Sequence, residues 1–81
     1  MSLVHIKALD LAKQDKWEQS HDLIQDGSDS LSCLIHGYLH RVEGDIGNAK
    51  YWYKRANTQM PDNTLPAELE RLYQLAHKTN N

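Results

Sequence analysis

Phenylalanine is absent from this 81-residue sequence, and cysteine occurs only once, as Cys33. A lone thiol excludes an internal disulfide, so nothing covalent staples the chain and a reducing compartment is compatible. Without Phe, the core must be aliphatic, filled out by Tyr and Trp. No run approaches the roughly 18 apolar residues of a membrane span. The opening Met1-Ser2-Leu3-Val4-His5-Ile6-Lys7 has neither the charged start nor the apolar stretch of a signal peptide. A cytoplasmic location without a membrane partner is the expectation. Basic excess is missing as well: 9 Lys and Arg against 11 Asp and Glu give a formal charge of −2. Scattered cations of that number make no stripe along a phosphate backbone, so nucleic acid is not an expected partner. Period-two alternation and Asn-Gly hairpin signals are also lacking, which leaves strands without support.

What is present is ordinary for a folded domain: 40% hydrophobic and 25% charged residues, too apolar for a disordered chain. Residues 1–81 make one domain with one core. Chains this short bury only about 60–65% of the surface they expose when unfolded, so stability is modest and self-association would help.

Helical spacing organises nearly all of the chain. Leu3, Val4, Ile6, Ala8, Leu9, Leu11 and Ala12 favour a first helix. Asp15-Lys16-Trp17-Glu18 reads as the start of a second, with Asp15 as N-cap and Glu18 reaching back, and Trp17, Ser20, Leu23 and Ile24 on one face. Between Gln25 and Ser30, Gly27 offers a left-handed stop and Ser the next cap. Leu31, Leu34, Ile35, Tyr38, Leu39 and Val42 then fall at i, i+3, i+4, i+7, i+8 and i+11, one continuous apolar face. Gly44 ends that third helix. Asp45 caps a fourth, covered on one side by Ile46, Ala49, Trp52, Tyr53 and Ala56. After a loop through Met60-Pro61-Asp62-Asn63-Thr64, Pro66 fits the first turn of a fifth helix whose stripe is Leu65, Leu69, Leu72, Tyr73 and Ala76. Thr79-Asn80-Asn81 should fray. The expected fold is all-α: about five antiparallel helices joined by short turns and packed as neighbouring pairs.

Gly37, Gly44, Asp45, Ala49, Tyr53, Ala56 and Pro61 give residues 30–63 a pattern that resembles one 34-residue tetratricopeptide repeat. Ala49-Lys50-Tyr51-Trp52-Tyr53-Lys54-Arg55-Ala56 is also similar to the second helix of SEL-like repeats. Physically, Gly37 and Ala49 let two helix backbones approach, Gly44-Asp45 turns the chain, and Pro61 blocks further helix. Setting Ser20 against Ala49 aligns Val4 with Cys33, Ala8 with Gly37, Asp15 with Gly44 and Ile24 with Tyr53, which suggests a shorter, degenerate copy over residues 1–27. The resemblance thus implies a fragment of an α-α superhelix, with residues 64–78 as a capping helix. The block from His36 to Asp45 followed by Asn48 to Tyr53 further resembles a group of small uncharacterised bacterial proteins of tetratricopeptide-like fold.

Two positions depart from the repeat. Where it has Leu and Tyr on the inner side of its first helix, this sequence has His36 and His40. At about 100° per residue they share one side of the third helix with Cys33 and Gly37. The spacing of His36 and His40, with Cys33 one turn earlier, allows a metal or polar-ligand site, with His21 or Glu43 as a further ligand. It equally allows two core rings satisfied by Asn48, Tyr53 or a backbone carbonyl. No cofactor is called for.

On the fourth helix Asn48, Tyr51 and Arg55 point away from the packing side with Trp52 at the border. These residue types dominate binding hot spots, so this face is the candidate partner-binding surface, for another protein or a second copy. Trp17, Tyr73, Met60 and Cys33 read as core. No spacing fixes a nucleophile or acid-base pair, so an enzyme is not expected. The expected role is a non-enzymatic protein-interaction or self-association module; the alternative is a small-ligand or metal-binding helical protein using His36 and His40.

Overall fold

Five helices and no strand make up the described residues, 3–78, of the computed structural model: α1 (Leu3–Lys13), α2 (Trp17–Ile24), α3 (Ser30–Val42), α4 (Ile46–Arg55) and α5 (Leu65–Lys78). The expected fraying of Thr79-Asn80-Asn81 lies outside the described residues.

Three left-handed residues shape the turns. Gly44 (φ 83°) follows α3, as its sequence position predicts, but Asp15 (φ 62°) follows α1 and Asn57 (φ 63°) follows α4. Each lies inside the same closing bond, five residues long: Lys16 N to Leu11 O (2.9 Å), Asp45 N to His40 O (2.9 Å) and Thr58 N to Tyr53 O (3.2 Å). Such bonds satisfy the orphan carbonyls at a helix end. Asp15 is therefore a terminator of α1 rather than the N-cap of α2. That cap is Lys16, whose side chain makes no capping bond. An Asp tolerates the left-handed region better than most residues, and the three-residue link to α2 demands one there.

The cap of α3 is likewise not a serine. Asp29 accepts from the Ser32 backbone N–H at 3.0 Å and from Ser32 Oγ at 2.6 Å, while Gly27 is not among the positive-φ residues. Asp45 does cap α4, accepting from Asn48 N. Thr64 accepts from Ala67 N at 3.2 Å to open α5, with Pro66 in its first turn where no intrahelical donor is needed.

Helix α3 is the axis of the fold. It touches all four other helices, α4 most extensively, and every residue from Leu31 to His40 is buried. Its apolar side joins Leu9, Ile24 and Leu72 in one core. Each fully buried Leu or Ile there contributes roughly 1.5–3 kcal/mol of transfer free energy. The α3 stripe stops short of its expected end at Val42, which is 44% exposed, and the α4 stripe starts late, Ile46 being 42% exposed. Both flank Gly44 at the tip of the α3/α4 hairpin, beyond the reach of the other helices. Leu23, in the last turn of α2, is exposed as well, beside Lys7 and Leu11 of α1.

The two hairpins close by similar means. In α3/α4, an added Cβ on Gly37 would lie 2.8 Å from the Tyr53 ring and 3.2 Å from the Ala49 carbonyl. In α1/α2, Ser20 Oγ donates to the Ala8 carbonyl at 2.7 Å. Helix α5 then spans both hairpins, packing on α3 and α1. Tyr73 Oη donates to Asp10 Oδ1 at 2.5 Å on one side, and Tyr53 Oη to the fully buried Glu68 Oε2 at 2.7 Å on the other.

Candidate functional site

The meeting point of α2, α3 and α4 gathers three imidazoles and both indoles of the chain. Helical spacing places them. His36 and His40 lie one turn apart on α3, and their rings stack at 4.9 Å between centroids with 24° between planes. On α2 the same i, i+4 spacing stacks Trp17 on His21 at 4.8 Å and 11°. His21 then stands edge-on to His36 (4.7 Å, 88°) and to His40 (5.6 Å, 75°). Trp52 of α4 lies flat against His36 at 3.8 Å and 13°. Trp17 is fixed from behind, its Nε1–H donating to the Leu39 carbonyl at 2.6 Å.

The nitrogens are arranged as pointedly as the rings. His21 Nε2 and His36 Nε2 face each other at 3.1 Å. With both rings neutral, one donates its proton to the other. His40 Nδ1 lies 2.6 Å from Glu43 Oε1; an N–H donated to that carboxylate leaves the lone pair of His40 on Nε2, the orientation in which outer carboxylates hold ligating histidines. His36 is 4% exposed and its Nδ1 is buried with no hydrogen-bond partner. Burial, reinforced by the neighbouring charges of His21, His40 and Arg55, pushes the His36 pKa down to about 4. At neutral pH the His36 ring is therefore uncharged, with one nitrogen protonated and the other offering a lone pair.

One ring nitrogen from each of His21, His36 and His40 lies within 4.8 Å of the others. Zinc–imidazole bonds of about 2.0–2.1 Å put two tetrahedral nitrogen donors roughly 3.3 Å apart. The His21–His36 edge is thus close to a ligating separation. The His40 edges close with a side-chain shift of at most about 1.5 Å. A second grouping, His40 with Glu43 and Asp45, shares His40 and runs out to exposed carboxylates.

The sequence pattern had offered Asn48 and Tyr53 as partners of His36 and His40, but both are engaged elsewhere. Asn48 Nδ2 donates to Asp45 at 3.4 Å and Tyr53 to Glu68. His21 and Glu43 take those places. Cys33 is buried but belongs to neither ligating group among the described residues; its Sγ faces the Ser28 carbonyl at 3.9 Å, and burial raises its pKa so that it stays a thiol.

The outer face of α4 is continuous with this cluster. Trp52 is the hinge between them: His36 stacks on it, Arg55 Cζ lies 4.9 Å from its centroid, and Tyr51 meets it edge-on at 5.2 Å. Arg55 also donates to Tyr51 Oη at 3.5 Å, and Tyr51 is 53% exposed. Asn48 is half-buried and turned to Asp45, so it stands apart from that trio.

Glu68 was not anticipated. It accepts from Tyr53, from Asn63 Nδ2 (3.0 Å), and from Arg71 Nε and Nη2 (2.7 and 2.9 Å). Burial alone would raise its pKa, but these donors outweigh it and hold the carboxylate below its ordinary range. One signal was readable: Leu65, Glu68, Leu69 and Leu72 occupy i, i+3, i+4 and i+7, placing Glu68 inside the apolar stripe with Arg71 one turn on. No family profile, curated protein or solved structure matches this chain.

Proposed function

We propose that the protein binds a transition metal ion of the zinc class through His21, His36 and His40. The observation that carries this reading is the convergence of three imidazole nitrogens from two helices, with the His21 and His36 Nε2 atoms 3.1 Å apart. Imidazole donors suit zinc, copper or nickel and disfavour magnesium and calcium, which take oxygen ligands. The low pKa of His36 and the Glu43 contact to His40 support it further, because a ligating imidazole must be deprotonated and gains basicity from an outer carboxylate. An ion here would also tie α2 to α3.

Calorimetric titration with zinc tests the proposal directly. The expected result is stoichiometric binding that His21→Ala and His36→Gln each abolish while the helical circular dichroism of His21→Ala persists. No heat, together with no zinc retained through dialysis, overturns it.

A second reading, a non-enzymatic protein-interaction or self-association module, is favoured by the α4 face. Arg55 is already ordered by Tyr51 and Trp52, so a partner docking on Tyr51 and Arg55 would lose little side-chain entropy. Sedimentation of the wild type against the Tyr51→Ala and Arg55→Ala variants tests self-association; a monomer at all concentrations removes that version. Within the described residues no helix is long and apolar enough to cross a membrane.

A further inference from the structure

We infer that an ion held by His21, His36 and His40 keeps one coordination position for a free small oxyanion, a carboxylate or phosphate, which enters by displacing bound water. The inference rests on the metal reading above and adds the class of ligand that the ion presents to solvent.

The donor set is the first argument. Three neutral imidazoles leave a divalent ion with its full charge, and zinc takes four ligands, so three protein donors make an open site rather than a closed structural one. The candidates for a fourth protein ligand are committed elsewhere. Glu43 is bonded to His40 Nδ1, on the opposite side of the ring from the Nε2 lone pair. Asp45 caps α4 through Asn48 N. Cys33 Sγ faces the Ser28 carbonyl, a protonated thiol outside the cluster.

Charge is the second argument. An ion of charge 2+ beside Glu43, Asp45 and Arg55 leaves a net single positive charge in the neighbourhood, and a half-buried cation of that kind favours an anion over water. Access is the third. His36 and His40 are buried, whereas His21 is half-buried, so the cluster reaches solvent on the His21 side. Trp17 and Trp52 flank the cluster, each stacked on a ligand ring.

Cobalt-loaded full-length protein tests this, because the visible absorption of cobalt reports its coordination. Titration with acetate and with inorganic phosphate should shift the cobalt bands saturably at millimolar concentration, and zinc should abolish the response by displacing cobalt. Bands that do not move with either anion overturn the inference and leave the metal reading standing. Absence of any cobalt band before anion is added overturns the metal reading, and the open position with it.

Discussion

Tyr53 Oη and Glu68 Oε2, 2.7 Å apart and both buried, join the α3/α4 hairpin to α5 through a carboxylate fully enclosed by donors. Removing Tyr53 Oη leaves Glu68 its Asn63 and Arg71 donors, so Tyr53→Phe should cost about 2 kcal/mol, the loss of one hydrogen bond to a charged acceptor. Glu68→Ala strands the Tyr53 hydroxyl and opens a cavity, and should cost about 3 kcal/mol. The pH signature has a definite sign. Because the folded pKa lies below the ordinary 4.5, the contribution is fully present above that value and is lost as pH falls through the folded pKa. Urea midpoints measured from neutrality into acid should show this loss in the wild type and less of it in Glu68→Gln.

Gly37→Ala should force the ring of Tyr53 or the α4 backbone to move, since the new Cβ would sit 2.8 Å from that ring and 3.2 Å from the Ala49 carbonyl. A loss of about 1–3 kcal/mol is expected. An unchanged melting temperature would mean that α3 and α4 are not so closely apposed.

His36 gives the metal-free protein a second acid-sensitive window. Its unfolded form protonates at 6.5 and its folded form at about 4, so between those values the unfolded chain binds more protons and stability falls as pH falls, by up to about 3 kcal/mol. Above 6.5 this group contributes no slope. Burial is the main cause of this lowering, and the charges of His21, His40 and Arg55 facing the ring add to it. Denaturation of His36→Gln across the same range should show a shallower dependence.

Glu43→Gln removes the charged acceptor that orients His40. Zinc affinity should fall roughly tenfold or more with the fold intact. Equal affinities by competition with a chromophoric chelator would separate Glu43 from the site.

Asp15→Gly and Gly44→Ala should act in opposite directions. Glycine relieves the left-handed Asp15 by up to about 1 kcal/mol, whereas alanine at Gly44 is strained by a similar amount. Thermal melts of the two variants give the comparison.

The helices were readable because their apolar stripes repeat at helical spacing, α3 most plainly, and because Gly44 and Pro66 punctuate them. The error at Asp15 arose because Asp serves both as an N-cap and as a left-handed terminator, and only backbone geometry decides between them. His36 and His40 were visible as intruders in an apolar position. His21 was only a possible companion, because its approach depends on how α2 crosses α3, which no local pattern encodes. Glu68 was hidden for a different reason: a charged residue in a stripe looks like an interruption until its donors, spread over three separate segments, are brought around it.

Both tryptophans of the chain are stacked on imidazoles of one cluster, Trp17 on His21 and Trp52 on His36. Indole emission from this molecule is therefore a local signal. It will respond to the protonation or ligation of those rings, and an unfolding curve followed by it reports the opening of the α2, α3 and α4 junction. Helix α5 contributes no indole, so its release has to be followed by another probe, such as the environment of Tyr73.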